Sequence, residues 1–144
     1  METLTLKSAI TLLLDHEGLK ATRVNENLLR IHIATGDGEL VLGALLNTDA
    51  GAAAFYWVHP DKVPEDRRGT AAITMMKFNY GLMSGALELD HEDGELRVRT
   101  GVDFGAGPAS VQALYRALEL NLGLRVTARP LFEALCGKES EREE

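Results

Sequence analysis

The sequence contains one cysteine, Cys136, among its 144 residues. One thiol cannot form an intramolecular disulfide, and the cysteine count gives no sign of an oxidising compartment. Zinc sites built from cysteine pairs are excluded for the same reason. Because Cys136 lies among Leu131, Phe132 and Leu135, we expect a small core residue and not a nucleophile with a nearby base.

Long apolar runs are also missing. The chain opens with Met1-Glu2 and continues without a basic segment or an extended hydrophobic stretch. This argues against a signal peptide and against a membrane-spanning helix. We therefore expect a cytoplasmic location and no membrane partner.

Positive charge is scarce. The chain has 15 Lys and Arg against 22 Asp and Glu, a net charge of −7. Nucleic-acid binding draws much of its affinity from basic side chains that neutralise phosphates, so direct nucleic-acid binding is disfavoured. The acidity has two interpretations: it keeps a small protein soluble, or it attracts a basic partner protein, including a DNA-binding one.

Catalytic and metal-binding motifs are absent from the sequence as well. The four histidines, His16, His32, His59 and His91, form no pair at i,i+3 or i,i+4, which a helical zinc site would need. The segment Gly105–Pro108 lacks the Lys-Ser/Thr of a phosphate-binding loop. We predict no enzyme, and therefore no catalytic residue, no cofactor and no metal.

The first half of the chain alternates between two hydrophobic periods. Apolar residues at helical spacing predict a helix over Leu4–Glu17, with Thr3 or Thr5 as its N-cap and Gly18 as its end. After it the period changes to two. This predicts three antiparallel strands, with a turn at Gly36-Asp37-Gly38 and a small-residue loop over Asn47–Gly51: Leu29–Ala34, Glu39–Leu46 and Ala53–Val58.

A second helix is predicted over Glu65–Leu82, after Pro60 and Pro64 stop the sheet, and Gly81 and Gly85 are predicted to close it. One apolar stripe of this helix has to cover the sheet. The stripe that the spacing selects consists of Ala72, Ile73, Met76, Tyr80 and Met83.

The clearest hairpin signal follows. Leucines at 87 and 89 precede an Asp93-Gly94 turn, and a second strand runs from Leu96 to Phe104. A two-residue loop would place Glu88 opposite Arg99, whereas a four-residue loop would place it opposite Arg97. Both registers keep the leucines on one face.

The last part of the chain is predicted to be helical. Pro108 fits a first turn, and Gly123 ends or bends the helix. Arg129-Pro130 predicts a break before a further helical piece over Leu131–Cys136. Residues 138–144 read as a charged tail, so we expect one α+β domain over 1–137 and a tail over 138–144.

With catalytic and metal-binding motifs absent, a surface that binds a partner protein is the remaining functional feature. Met75, Phe78, Leu82 and Met83 crowd the second helix and its end, and methionine adapts to varied apolar surfaces. These residues predict a dimer or partner surface, with simple burial in a thick core as the alternative. Tyr56 and Trp57 on the third strand are further candidates for this surface. They point to opposite faces, and the sequence leaves open which of them faces the core and which faces a partner.

The second helix and hairpin resemble a known family. The pattern Asn79-x-x-Leu82-x-x-Gly85-x-Leu87-x-Leu89-Asp90, followed by Gly94-Glu95-Leu96-x-Val98-Arg99-x-x-Val102, is similar to the signature of the YbjN-like bacterial proteins, sometimes labelled sensory transduction regulators. The resemblance implies a fold like that of type III secretion chaperones, with a five-stranded antiparallel sheet in the order α-β-β-β-α-β-β-α. It also implies a homodimer with a chaperone-like or adaptor role in regulation or stress responses, and no catalytic residues.

Taken together, these patterns predict a protein-binding module whose partners are a second copy of itself and another protein. Two alternatives remain open. One is single-stranded nucleic-acid binding through Arg30, Arg97 and Arg99, which alternation places together on the polar sheet face, with Tyr56 or Trp57 stacking on bases. The other is a small-molecule enzyme, which would need a deep polar pocket that the sequence does not indicate.

Overall fold

The computed structural model describes residues 3–36 and 38–137. Within these residues the chain forms three α-helices, one short 3₁₀ turn and six β-strands, which confirms the α+β class. In chain order the elements are α1 (Leu6–Glu17), β1 (Lys20–Arg23), β2 (Leu28–Thr35), β3 (Gly38–Asn47), β4 (Ala52–Val58), the 3₁₀ turn Glu65–Arg67, α2 (Arg68–Tyr80), β5 (Ala86–Leu89), β6 (Leu96–Asp103) and α3 (Val111–Leu135). Asp37 of the predicted turn and the predicted tail over 138–144 lie outside the described residues.

The first helix follows its capping residues. Thr5 is the N-cap, and its hydroxyl accepts a hydrogen bond from the backbone N–H of Ser8 at 3.1 Å. Gly18 ends the helix at φ 64°, a left-handed conformation that glycine adopts without steric cost. The helix buries Leu6, Ile10 and Leu13.

The strands form one antiparallel sheet in the order β1-β2-β3-β4-β6-β5. The predicted five-stranded sheet is therefore wrong by one strand, β1. All four residues of β1 are exposed, so the strand carries no alternation of apolar and polar residues. Its position at the sheet edge suits charged side chains such as Lys20 and Arg23, which discourage pairing with another chain.

The hairpin of β5 and β6 resolves the two predicted registers. Glu88 lies opposite Arg97 and Leu89 opposite Leu96, as the four-residue loop requires. The turn is fixed by Gly94, which has φ 85° and donates a 2.7 Å hydrogen bond to the carbonyl of Asp90.

The last helix differs from the prediction. It runs without interruption from Val111 to Leu135, through both Gly123 and Pro130, so neither predicted break occurs. A proline in a helix removes one backbone hydrogen bond. Burial on both sides of it compensates, because Ala128 and Phe132 have no solvent exposure.

One face of the sheet packs against α1 and α3 and forms the core. Apolar side chains from every strand except β1 are buried there, including Leu29, Ile31, Leu42, Phe55, Trp57, Leu87, Leu96 and Val98. Two buried polar side chains fix α3 on this face. The Thr100 hydroxyl donates to the carbonyl of Ala117 at 2.7 Å, and the Asn121 amide donates to the carbonyls of Phe55 and Val98 at 2.9 and 3.2 Å.

Candidate functional site

The outward side of α2 carries an uncovered apolar stripe. Ile73 and Met76 are 54% and 65% exposed, and Tyr80 and Met83 are almost fully exposed. The opposite side of the helix is buried through Ala71 and Met75. Ile73, Met76 and Tyr80 lie on α2, and Met83 lies three residues beyond its end. Such a run of exposed large apolar side chains is unusual for a surface that faces only water. We call these four residues the α2 stripe.

The two sides of α2 are therefore reversed relative to the prediction. The stripe that the spacing selected to cover the sheet faces solvent, and Met75, predicted for a partner surface, is only 3% exposed. Burial in the core, the alternative reading, describes Met75. Phe78 is half-buried against the core. Leu82 is half-buried, and of the predicted residues on α2 and its end only Met83 is fully exposed.

A side-chain amide determines which side of α2 faces inward. Asn79 donates from Nδ2 to the carbonyl of Leu87 at 2.9 Å and accepts at Oδ1 from the backbone N–H of Leu87, also at 2.9 Å. The amide thus takes the place of a neighbouring strand along the outer edge of β5. Because an unpaired sheet edge invites aggregation, α2 protects this edge and turns its apolar stripe outward.

The second uncovered surface is the sheet face opposite α1 and α3. Val41, Leu45 and Val58 are 38%, 43% and 46% exposed there. A shallow groove of about 410 Å³ crosses this face. We call it the open-face groove, and its lining consists of Leu28, Arg30, Val41, Gly43, Tyr56, Val58 and Arg97.

Arginines dominate the electrostatics of the groove. The Arg97 guanidinium lies 4.2 Å from the centre of the Tyr56 ring, a cation–π contact. Its Nε also donates to Glu88 Oε1 at 2.7 Å, and Arg99 Nε donates to Glu88 Oε2 at 3.0 Å. Within the described part of the chain, Arg30 is exposed and makes no hydrogen bond or ion pair.

The structure separates the two aromatic residues of β4. Tyr56 lies on the open face, whereas Trp57 is buried on the covered face and stacks on Phe132 with ring centres 6.2 Å apart and planes 5° apart. Trp57 is thus not on the same face as Arg30, Arg97 and Arg99. A nucleic-acid surface on the open face would have only Tyr56 for base stacking, and the Arg97 guanidinium already covers that ring.

A cleft of about 700 Å³ lies at the end of β4, where α3 passes. His59 lines it and is 5% exposed, and neither ring nitrogen has a hydrogen-bond partner in the described residues. Asp61 Oδ2 is 4.0 Å from Nε2, beyond hydrogen-bond range. Burial lowers the pKa of His59, and Arg129 acts in the same direction, while Asp61 acts in the opposite one. His59 is therefore a buried side chain whose lowered pKa favours the neutral form, and both of its ring nitrogens lack a partner within the described part of the chain.

The lowered pKa predicts that acid destabilises the protein through His59. In the unfolded chain this histidine takes up a proton near its ordinary pKa of 6.5, whereas the folded protein takes it up only at lower pH. The stabilisation is therefore complete above about pH 6.5 and is lost as the pH falls below that value. We expect the urea unfolding free energy of His59→Phe to fall less steeply between pH 7 and 5 than that of the parent. Equal slopes for the two proteins would contradict this assignment.

A short chain of hydrogen bonds on β1, β2 and β3 has the order of a catalytic triad. Thr22 Oγ1 lies 3.1 Å from His32 Nε2, and His32 Nδ1 lies 3.1 Å from Glu39 Oε1. The hydroxyl is exposed on an edge strand, and the Glu39 side chain is 63% exposed. Catalytic triads work where water is excluded and an oxyanion is stabilised. We therefore assign these contacts to cross-strand stabilisation.

No group of three or more potential metal ligands occurs in the described residues. The same part of the chain has no helix that is both long and apolar enough to cross a bilayer.

Comparisons with solved structures show a likeness of fold. No family model matches the sequence, and no curated protein matches it. Among solved structures, the chain is similar to the one described as "Crystal structure of YbjN, a putative transcription regulator from E. coli", with 12% identity, a TM-score of 0.54 and 97% of each chain covered. The resemblance to YbjN-like proteins is thus confirmed at the level of the fold.

Proposed function

We propose that this chain is a non-enzymatic protein-binding module with a chaperone-like, adaptor or regulatory role, acting as a homodimer on another protein. The α2 stripe is the observation that carries the proposal. Three large apolar side chains exposed on α2, together with Met83 just beyond its end, cost free energy in water, and that cost is recovered when a partner covers them.

The stripe has the spacing of a helix–helix seam. Ile73, Met76 and Tyr80 follow one another along α2 at intervals of three and four residues, the intervals at which one helix packs along another. A two-fold axis would bring the same stripe of a second copy against it, because a surface complementary to itself forms closed dimers. In such a dimer Phe78 and Leu82 flank the seam and Met75 remains in the core of each chain.

The fold supports a regulatory role over a catalytic one. YbjN, which has a similar fold, is described as "a putative transcription regulator", and regulators act through contacts with other macromolecules. In the proposed dimer each chain leaves its open-face groove free, so a second protein can bind while the α2 stripes are covered.

Dimerisation is tested by placing a charge in the stripe. Met76 is 65% exposed in the single chain, so Met76→Glu leaves the core intact but buries a carboxylate in the seam. We expect light scattering to give twice the monomer mass for the parent. For Met76→Glu we expect a monomer at micromolar concentration, a loss of at least about thirtyfold in dimer affinity.

Leu12→Glu is the matched control, because Leu12 is a 49% exposed apolar residue on a different helix, α1. We expect this variant to remain dimeric. A strictly monomeric parent, or a Met76→Glu protein that dimerises as strongly as Leu12→Glu, would contradict the proposed homodimer.

A further inference from the structure

The open-face groove has a charge opposite in sign to that of the chain. Both charged residues that line it are arginines, Arg30 and Arg97, although the chain as a whole has a net charge of −7. Between them lies an apolar floor, where Gly43 has no side chain and Leu28 and Val58 form the walls. We propose that this groove binds an acidic amphipathic segment of the partner protein.

The arginines retain donors for such a segment. Arg30 makes no hydrogen bond or ion pair, and the terminal nitrogens of Arg97 make no hydrogen bond, as far as residues 3–36 and 38–137 are concerned. A guanidinium has five N–H donors, and Arg97 uses its Nε–H on Glu88. The remaining donors match carboxylates in geometry and charge, and such pairs are often bidentate.

The apolar part of the groove is suited to bind the apolar side of the partner segment. Val41 and Val58 are 38% and 46% exposed, and a leucine or similar residue between two carboxylates would cover both. A Cβ at Gly43 would have Leu28 Cδ1 at 3.8 Å as its nearest neighbour. The groove floor is thus free for a side chain of a bound partner.

The sequence composition suggested a basic partner, and the groove points to the opposite charge. The charge of a docked partner is determined by the local surface, because salt screens charges that lie more than about 8–10 Å from the docking site. The many acidic side chains elsewhere on the protein therefore affect the approach of a partner more than its docked state.

Two labelled peptides provide the test. They share the same leucine positions and differ only in whether the remaining positions are glutamate or lysine. Fluorescence anisotropy should show that the parent protein binds the glutamate peptide at least about tenfold more tightly than the lysine peptide, with an affinity that falls as salt is added.

A charge reversal then places the binding in the groove. Arg30→Glu should weaken the binding of the glutamate peptide about tenfold or more, since one donor cation becomes a repelling anion. Lys7→Glu is the control, because it makes the same change of charge on α1, which packs on the opposite sheet face. It should change the affinity for the glutamate peptide less than about twofold. Thermal unfolding shows whether both variants are folded, and Arg30 has no hydrogen bond or ion pair to lose among the described residues.

Several results would overturn the inference: preference for the lysine peptide, equal binding or no binding of the two peptides, or an Arg30→Glu protein with parental affinity. Tighter binding of a labelled oligonucleotide than of the glutamate peptide, at the same salt, would overturn it by assigning the groove to nucleic acid. The inference rests on the proposed protein-binding function but fails separately from it. A preference for lysine leaves protein binding in place, and the oligomeric state of Met76→Glu does not depend on the groove.

Discussion

Replacing Phe132 by alanine is expected to lower the free energy of unfolding by about 3–5 kcal/mol. The ring has no solvent exposure, stacks on Trp57 and meets the edge of His59 with ring centres 5.6 Å apart. Its removal leaves a cavity between β4 and the last turns of α3. Because Pro130 already weakens the helix two residues earlier, the loss also removes the contact that holds this part of α3 on the sheet.

Phe132→Leu is the control, because it keeps most of the buried volume and should cost less than about 1.5 kcal/mol. Urea unfolding of both variants can be followed by the fluorescence of Trp57, the only tryptophan in the chain. If Phe132→Ala is no less stable than Phe132→Leu, the aromatic cluster does not anchor the end of α3.

The continuity of α3 shows why its breaks could not be predicted from the sequence. Gly123 and Arg129-Pro130 are local signals, and each correctly reports a local cost. Contacts between residues distant in sequence offset that cost. Trp57 stacks on Phe132, and the Asn121 amide donates a hydrogen bond to the carbonyl of Phe55. By contrast, the caps of α1 and the hairpin turn were predictable, because each is decided within a few residues.

The reversed faces of α2 have a similar cause. Both sides of the helix are apolar, so periodicity alone does not say which one is buried. The choice is made by Asn79, a polar residue whose amide finds the backbone of Leu87 on the sheet edge. An amide between Phe78 and Tyr80 in an apolar helix was the available signal, and it marks the buried side because the amide satisfies an otherwise unpaired strand.

The groove was predictable in part. Alternation along the strands placed Arg30, Arg97 and Arg99 together on one sheet face, and the hairpin predicted that Glu88 pairs with them. Composition could not reveal that this face differs in charge from the rest of the surface, because a net charge averages over all faces. The charge of this face depends on which strands are neighbours in the sheet. β6 lies beside β4, and these two strands are separated by a long stretch of chain.

We expect that adding a methyl group at Gly94, in the turn of the β5–β6 hairpin, will strongly destabilise the hairpin. Gly94 has φ 85°, and its carbonyl accepts a 2.9 Å hydrogen bond from the backbone N–H of Val63. Arg68 closes the same junction, since its guanidinium donates to the carbonyls of Val63 and Glu92, both at 3.0 Å. A Cβ at Gly94 would overlap the carbonyl oxygen of Val63, and no rotation of a side chain can relieve a clash between Cβ and backbone.

Gly94→Ala should therefore lower the free energy of unfolding by about 2–5 kcal/mol, the sum of left-handed backbone strain and overpacking. Gly69→Ala is the control for the same substitution, because Gly69 lies in the exposed first turn of α2 with nothing within 4 Å of its Cβ position. It should be neutral or stabilise the protein by up to about 1 kcal/mol, since alanine favours a helix over glycine. Equal stabilities of the two variants in urea unfolding would show that the turn does not dock on Val63, and that the β5–β6 hairpin is held by its strands alone.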